Sequence, residues 1–226
     1  MKLKVVIMGA SGDGLVVAQT IRDIERYDKS MQVIGFLDDG LEAESIIYGL
    51  PVLGGLASWS DLNENTLFIP ALHKLKKMFL RKKLLEQLGV PEDRWATVIH
   101  PTAKIADDVA VGYGSFVASN VTIQPGATVC CFASIRAGAN LGHNAIIDSY
   151  CYIGPNATLC GGAQIEEGVH IGPNAVVVDG IVVGHYAIVG AGSVATKNIT
   201  AFDVCFGVPA RKVSSTIGDM KRFSLL

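Results

Sequence analysis

The chain has 226 residues, half of them hydrophobic, and a formal net charge of −2 at pH 7, which allows one or two globular domains with a substantial core. The balanced charge and the lack of a basic stripe with interleaved aromatic residues argue against a nucleic-acid partner. No apolar run reaches the length of a membrane span. Because the five cysteines have no C-x-x-C spacing and the N-terminus has no signal-peptide pattern, we expect reduced thiols in a cytoplasmic protein.

The first 95 residues predict a small α/β domain. Apolar runs typical of buried strands alternate with stretches of helical periodicity, which is the pattern of a parallel sheet covered by helices. Basic residues between 74 and 83 recur at helical spacing and predict a solvated face. The predicted strands lie at 4–8, 32–37, 51–53 and 66–69, the predicted helices at 15–24 and 75–88, and a last strand near 95–99 leads into the following region.

A glycine-rich turn of the form G-x-x-G-x-G separates the first predicted strand from the first helix. Such a turn points backbone N–H groups and the positive end of a helix at a phosphate. Asp38 and Asp39 end the next strand, where a carboxylate can accept hydrogen bonds from a ribose or a base. The domain has room for one nucleotide-binding half, so we predict a single nucleotide that carries a sugar; a turn without a ligand is the alternative. The predicted binding residues are Gly9, Ser11, Gly12, Asp13, Gly14, Asp38 and Asp39.

A six-residue rhythm runs from Ile105 to Val189. An aliphatic residue returns at every sixth position, and a small or β-branched residue follows four positions after each of them. An α-helix turns by about 100° per residue, so six steps would scatter this stripe around its axis. Short strands joined by tight corners place the same residues inward on every side of a coil. The rhythm therefore predicts a parallel β-helix.

The corners of the coil are also visible in the sequence. The fourth place of each hexad is glycine, asparagine or aspartate, except at Phe132, Tyr150 and Tyr186. Glycine and asparagine tolerate the left-handed backbone conformation that a sharp corner requires. The hexads are predicted to begin irregularly at Ile99 and to stop after Val194.

Several of these features together resemble a known family. They are the G-A-S-G-x-G turn, the F-L-D-D strand end at 36–39, the hexapeptide repeats, and G-V-P-A-R at 207–211. Over nearly its whole length the chain resembles the sugar-nucleotide N-acetyltransferases of the hexapeptide-repeat family, typified by the enzyme that acetylates UDP-4-amino sugars in bacillosamine synthesis. Sialic-acid O-acetyltransferases share this layout. The resemblance implies acetyl-CoA as the donor and a nucleotide-linked amino sugar as the acceptor.

The resemblance also implies that the β-helix is left-handed, although crossovers in ordinary parallel sheets are nearly always right-handed. We therefore expect an α/β, Rossmann-like N-terminal domain that binds the nucleotide sugar over residues 1–95. A left-handed β-helix with the acetyltransferase chemistry is expected over 96–213, and a C-terminal tail over 214–226.

His143 occupies the third place of its hexad, where a side chain points outward, and it matches the general base of the family. Imidazole is suited to proton uptake near neutral pH. With three hexads per coil, residues eighteen apart stack about 4.8 Å apart, and Gly161 lies eighteen residues after His143. The backbone amide that stabilises the oxyanion in the family falls at Gly161. The family usually has a carboxylate after the base, and here the residue is Asn144. His185, also at a third place, is predicted to be an exposed corner residue.

The resemblance places the donor along the last coils. Tyr152 stands where the bacillosamine enzyme has a second histidine near the acetyl group, and Asp13 stands where a histidine is common in the glycine loop. Exposed backbone near the pantetheine and cations near the CoA phosphates complete the expected donor site. The predicted donor-binding residues are Tyr152, Gly161, Gly190, Ala191, Gly192, Arg211 and Lys212.

Outward positions in the last coils are unusually apolar, which predicts an interface. The family is trimeric, with active sites between neighbouring β-helices, and closed cyclic symmetry agrees with one repeated patch. The residues of this predicted interface are Val176, Val178, Val182, Ile188 and Val194.

The favoured function is an acetyl-CoA-dependent N-acetyltransferase that acts directly on the amine of a nucleotide-linked 4-amino-4,6-dideoxysugar in glycan biosynthesis. A sialic-acid-type O-acetyltransferase is the first alternative, and a nucleotide-sugar-binding scaffold without catalysis is another. A carbonic-anhydrase-like β-helix would need three histidines at one zinc ion. His143, His170 and His185 are spaced by 27 and 15 residues, which puts them on different edges or sides, so no metal site is predicted.

Overall fold

The computed structural model of the protein describes residues 2–75 and 77–218. The elements of its N-terminal part are β1 (Leu3–Met8), α1 (Gly12–Tyr27), β2 (Met31–Leu37), β3 (Ile46–Ile47), β4 (Leu50–Pro51), β5 (Thr66–Pro70) and α2 (Met78–Leu88), with 3₁₀ turns at Leu56–Asp61 and Glu92–Arg94. β2, β1 and β5 form a parallel sheet in that order. Val5 and Ile7 of β1 pack against Ile21 of α1 in a buried core, so the predicted α/β domain is confirmed.

The segment predicted as a strand at 51–53 does not join this sheet. β3 and β4 form an antiparallel hairpin, and Val52 makes a single bridge to Phe36. Tyr48 and Gly49 have φ values of 52° and 71°, and positive φ at both turn residues is what a two-residue hairpin requires. α2 also begins later than predicted, at Met78 instead of 75.

The C-terminal part is a left-handed β-helix, as predicted. Its strands are β6 (Val98–Ile99), β7 (Lys104–Ile105), β8 (Phe116–Val117), β9 (Thr122–Ile123), β10 (Thr128–Val129), β11 (Ser134–Ile135), β12 (Asn140–Leu141), β13 (Ile146–Ile147), β14 (Tyr152–Ile153), β15 (Thr158–Leu159), β16 (Gln164–Ile165), β17 (His170–Ile171), β18 (Val176–Val177), β19 (Val182–Val183), β20 (Ile188–Val189), β21 (Val194–Ala195), β22 (Asp203–Phe206) and β23 (Arg211–Ser215). Tyr152 pairs with His170, eighteen residues on, so each regular coil consists of three hexads.

The strands form three faces, in which all pairs are parallel except the antiparallel pair of β22 and β23. Sheet I contains β6, β8, β11, β14, β17, β20, β22 and β23; sheet II contains β7, β9, β12, β15, β18 and β21; and sheet III contains β10, β13, β16 and β19. The inward aliphatic residues, such as Leu141, Ile147 and Ile153, are buried along the axis of the coil. The aliphatic residues that recur at every sixth position therefore form one continuous apolar core.

The aromatic exceptions among the corner residues lie where sheet III turns into sheet I. Phe132, Tyr150 and Tyr186 have φ values of 59°, 63° and 55°, so they take the same left-handed conformation as the glycines. This corner faces α2: the Phe79 ring lies 6.5 Å from that of Tyr186, and the Arg81 side chain donates a hydrogen bond to the Phe132 carbonyl. Packing between the domains explains why large side chains are found here.

The β-helix continues past Val194 with a shortened coil. Ala195 and Ile199 are buried in the apolar core, and Cys205 pairs with Val189 only sixteen residues away. Because this coil is two residues shorter than the regular eighteen, the six-residue period does not predict it. After β23, the Thr216 hydroxyl donates hydrogen bonds to the carbonyls of Tyr186 and Phe202.

The N-terminal domain covers the outer face of sheet I. Phe116 and Val98 share a core with α1, and Lys82 of α2 forms an ion pair of 2.9 Å with Glu167. Ile188, predicted to lie at an interface between subunits, is instead buried within the chain beside Phe79.

Of the described helices, none combines the length and the apolar character needed to cross a bilayer.

Candidate active site

A cavity of about 600 Å³ lies between the glycine turn, the loop after β5 and α2. It is lined by Gly9, Ser11, Gly12, Asp13, Asp38, Ala71, Leu72, His73, Lys74, Lys77, Leu80, Arg81 and Leu84. The structure therefore brings five of the seven predicted nucleotide-binding residues to one cavity. Its volume lies in the range of small-molecule sites.

The two remaining residues, Gly14 and Asp39, have structural roles. A side chain on Gly14 would collide with the carbonyl oxygen of Gly9, so this glycine permits close packing of α1 on the turn. The Asp39 carboxylate accepts a hydrogen bond of 2.7 Å from the Leu56 N–H and caps the following 3₁₀ turn. By contrast, Gly12 has open space around its Cα, so the cavity reaches the helix start directly.

Asp38 holds the turn together at the edge of the cavity. Its carboxylate accepts hydrogen bonds from the Ala10 N–H, at 2.8 Å, and from the Gly40 N–H, at 2.9 Å. The sequence predicted that Asp38 meets a ribose or a base. Each carboxylate oxygen can accept a further hydrogen bond, so the position in the cavity wall remains compatible with that role.

Three basic residues line the opposite wall. Lys74 and Lys77 flank the cavity, and Arg81 is buried, with its guanidinium donating to the Phe132 carbonyl at 2.9 Å. Burial lowers the pKa of Arg81 to about 10, so it stays a cation at neutral pH. The prediction of a solvated basic face is therefore wrong for Arg81, and Lys76 lies outside the described residues. The helical spacing did not reveal which residues face the glycine turn.

A stack of aromatic rings forms the floor under the loop after β5. The Tyr152 ring lies 3.9 Å from that of His73 and 4.6 Å from that of His170. Burial lowers the pKa of His73 to about 3 and that of His170 to about 4, so both are neutral at pH 7. Tyr152, predicted to contact the donor, thus lies on sheet I and stacks on His73, which lines the cavity of its own chain.

A buried ion pair joins the glycine turn to the β-helix. The Arg136 guanidinium lies 2.9 Å from the Asp13 carboxylate, and only 8% of the Arg136 side chain is exposed. Arg136 also packs against the rings of Phe116 and Tyr152. Asp13 therefore neutralises a buried cation at the edge of the cavity.

His143 lies at the corner between sheets II and III and is exposed, as its hexad place predicted. A Cβ placed on Gly161 would lie only 2.5 Å from both Cε1 and Nε2 of His143. The glycine therefore lets the imidazole rest directly on the next coil. On the other side of the ring, the Asn144 amide nitrogen lies 3.2 Å from Nδ1. The three predicted catalytic residues are thus adjacent.

The N–H of Gly161 has a partner that the sequence did not suggest. It donates a hydrogen bond of 3.1 Å to the Asp179 carboxylate, which is exposed on the following coil. The side chain of Asp179 points towards the preceding coil. The six-residue spacing does not predict whether a corner side chain takes this orientation or points into solvent.

His143 and the cavity of the N-terminal domain lie on opposite sides of one chain. The corner between sheets II and III faces away from sheet I in a triangular coil, whereas the N-terminal domain rests on sheet I. His143 is absent from the cavity lining. One chain therefore does not bring the predicted base His143 to its own cavity.

Some of the residues predicted to bind the acetyl donor near the C-terminus already have partners within the chain. The N–H groups of Gly190 and Gly192 donate to the carbonyls of Cys205 and Pro173, so they take part in the coil. Ala191 is exposed. Lys212 pairs with Asp203 at 2.6 Å, and the exposed Arg211 lines a groove of about 340 Å³ together with Lys197.

The five cysteines are free, and four of them are poorly suited to act as nucleophiles. Burial raises the thiol pKa of Cys130, Cys151, Cys160 and Cys205, so these side chains stay protonated. Within residues 2–75 and 77–218, no group of three histidine, cysteine or acidic side chains is arranged to hold a metal ion.

Two family models match the chain. The PglD N-terminal domain matches residues 4–88, and the bacterial transferase hexapeptide model, with six repeats, matches residues 162–197. Comparison with the curated proteins gives no significant match. The two matched regions correspond to the two parts of the structure.

Solved structures match almost the whole chain. The acetyltransferase domain of PglB from Neisseria gonorrhoeae, in complex with acetyl coenzyme A, is 26% identical with a TM-score of 0.83, covering 94% of this chain and 100% of that one. PerB from Caulobacter crescentus, in complex with CoA and GDP-perosamine, is 27% identical with a TM-score of 0.80, covering 93% and 97%. WeeI from Acinetobacter baumannii is 28% identical with a TM-score of 0.80, covering 92% and 99%.

Together with the hexapeptide match, these likenesses indicate that the protein is an acetyltransferase, which confirms the predicted enzyme class. Its combination of a PglD N-terminal domain with a β-helix is similar to the arrangement in the matched acetyltransferase structures. The acetyl coenzyme A and CoA in the related structures agree with the predicted donor.

Proposed function

We propose that the protein transfers the acetyl group of acetyl-CoA to the amine of a nucleotide-linked 4-amino-4,6-dideoxysugar. The observation that carries this proposal is the contact of the His143 imidazole with Gly161 at an exposed corner. A base and a backbone N–H side by side are what acyl transfer to an amine requires. The bound GDP-perosamine of PerB supports a nucleotide amino sugar as the acceptor.

The cavity of the N-terminal domain suits the nucleotide part. The start of α1 at Gly12 presents backbone N–H groups to a phosphate, and Lys74, Lys77 and Arg81 supply positive charge from the opposite wall. The apolar side chains of Leu80 and Leu84 can pack against a nucleobase or against one face of a sugar ring. Together these groups bind and orient a nucleoside diphosphate.

In the proposed reaction, His143 Nε2 takes a proton from the acceptor nitrogen as that nitrogen attacks the thioester carbon. The Gly161 N–H donates to the oxygen that becomes negative, and CoA leaves as its thiolate. The raised thiol pKa values of Cys130, Cys151, Cys160 and Cys205 support direct transfer without an acetyl-cysteine intermediate at these residues.

Asn144 selects the tautomer of the base. When the amide is turned so that its oxygen faces the ring, it accepts a hydrogen bond from Nδ1–H, and Nε2 then keeps the lone pair that a base needs. In the structure the amide nitrogen faces Nδ1 at 3.2 Å, and exchanging the amide oxygen and nitrogen by a half-turn of the amide gives this pairing. A neutral amide orients the imidazole without stabilising its charged form.

A trimer would bring the base to the cavity. Because His143 lies on the side of the coil away from sheet I, the corner of one subunit must face the cavity of another. Closed threefold symmetry repeats this contact three times. The half-buried side chains of Val176, Val178, Val182 and Val194 are consistent with such an interface.

The direct test is thiol release from acetyl-CoA with UDP-, GDP- and dTDP-linked 4-amino-4,6-dideoxysugars, beside free sialic acid. We expect rapid release with one nucleotide sugar, which identifies the nucleotide. Release with free sialic acid alone would overturn the proposal in favour of an O-acetyltransferase. No release with any acceptor, while a nucleotide still binds, would favour a scaffold.

Replacing Asn144 by aspartate gives the base a charged partner. The carboxylate favours the imidazolium, so a higher pH is needed to deprotonate it, and the acidic limb of the pH profile of kcat/KM should move up by about one unit. Asn156→Asp is the matched control, since Asn156 has φ 54° at a corner between sheets I and II. An equal shift in both variants, or none in Asn144→Asp, would contradict this role of Asn144.

A further inference from the structure

The hydrogen bond between Asp179 and Gly161 occupies the amide that the proposed reaction needs. Side chains cap other corner N–H groups in this β-helix: Asp108 accepts from Gly126 at 2.8 Å, and Glu166 accepts from His185 at 2.8 Å. A cap stabilises the corner by satisfying a backbone donor. At Gly161, however, a thioester oxygen must compete with a carboxylate for the same N–H.

Geometry brings the acceptor nitrogen close to the same carboxylate. The thioester oxygen must take the place of an Asp179 carboxylate oxygen, 3.1 Å from the Gly161 nitrogen. In a reactive complex, the attacking nitrogen lies about 3–3.5 Å from the thioester carbon. A carboxylate displaced by only a few ångströms therefore remains within contact distance of that nitrogen.

We propose that Asp179 selects a cationic acceptor. In the empty site its carboxylate holds the Gly161 N–H; when an amino sugar enters as its ammonium, the carboxylate pairs with this cation and releases the N–H to the thioester. Binding of the acceptor thereby completes the site that activates the donor. This inference rests on the proposed function and adds a specificity-determining residue to it.

The charges and atoms balance in this scheme. The ammonium, held by Asp179, gives one proton to His143 Nε2, and the resulting amine forms the C–N bond while the C–S bond breaks. The nitrogen loses its second proton to solvent as the amide forms, and the His143 imidazolium returns the first proton to the CoA thiolate, which leaves as the thiol. A hydroxyl acceptor carries no cation, so it cannot draw the carboxylate away from Gly161. Asp179 therefore favours N-acetylation over O-acetylation.

Asp179→Asn tests this role because its amide oxygen can still cap the Gly161 N–H while the negative charge is lost. We expect the KM of the amino sugar to rise about tenfold, as for a lost charge-assisted hydrogen bond, with a smaller change in kcat. Turnover of the corresponding hydroxy sugar nucleotide, and the affinity for CoA, should not fall. Asp108→Asn is the matched control, since it alters the same kind of cap at Gly126.

An unchanged KM for the amino sugar in Asp179→Asn, with wild-type turnover intact, would overturn the inference alone. So would an equal loss on the amine and the hydroxyl acceptor, because a purely structural cap predicts that result. Failure of the wild-type enzyme to acetylate any amino sugar would instead overturn the proposed function, and this inference with it. Thermal unfolding of both variants near the wild-type temperature confirms that they are folded.

Discussion

Replacing His143 by alanine should lower kcat by about 10²- to 10⁴-fold, which is the usual contribution of a positioned general base. The KM of acetyl-CoA should change little, because the Gly161 N–H and the groove near Arg211 remain. Residual turnover is expected from the backbone donor and from binding alone. The measurement is thiol release from acetyl-CoA at saturating acceptor.

His185 provides the matched control for this prediction. It also occupies a third place in its hexad and is exposed, but it lies at the corner between sheets III and I and its ring pairs with Glu166 at 3.3 Å. His185→Ala should leave kcat near that of the wild type. Equal losses in both variants would indicate damage to the coil, and full activity in His143→Ala would remove the base from the mechanism.

The same variant tests whether the site lies between subunits. Gly12 faces open space at the cavity, so Gly12→Phe should fill the cavity without disturbing the base. Co-refolding Gly12→Phe with His143→Ala should restore about one quarter of the wild-type activity, because in a randomly mixed trimer one contact in four joins an intact cavity to an intact base. A mixture without activity would place cavity and base in the same chain.

The features that the sequence predicted are those set by neighbouring residues or by a regular spacing along the chain. The coil, its eighteen-residue stacking and the contact of His143 with Gly161 follow from a period that repeats without interruption. The shortened coil that ends at Cys205 was missed because two residues are lost from that period. The glycine turn likewise pointed to the cavity edge, since a strand, a turn and a helix that are adjacent in sequence form it.

Contacts between the two domains could not be predicted in this way. Arg81, Arg136 and His73 look like surface or core residues on their own elements, and their contacts with Phe132, Asp13 and Tyr152 form only when the N-terminal domain rests on sheet I. The orientation of Asp179 is another example, because one rotamer decides whether a corner side chain faces solvent or a backbone N–H. The position of one domain on the other and the rotamer of a corner side chain are set by tertiary packing, which the local sequence pattern does not encode.

The largest effect on stability is expected at Asp13. Asp13→Ala should leave the Arg136 guanidinium, which is 92% buried by its side-chain exposure of 8%, without its charged partner. Removing one member of a buried ion pair costs about 3 kcal/mol or more, because the other charge stays desolvated. The measurement is urea unfolding, with the free energy of unfolding obtained at an unchanged m-value.

Two further variants separate the buried charge from the loss of a carboxylate as such. In Asp13→Ala combined with Arg136→Met, an apolar chain packs between Phe116 and Tyr152, and stability should return close to that of the wild type. Glu25→Ala removes the partly exposed pair with Lys2 and should cost less than about 1 kcal/mol. If Asp13→Ala lowered the free energy of unfolding no more than Glu25→Ala does, the Arg136 guanidinium would have to be neutralised by another group or hydrated in the variant. The expected order instead explains why an aspartate is found at position 13: a buried arginine of the β-helix requires its negative charge.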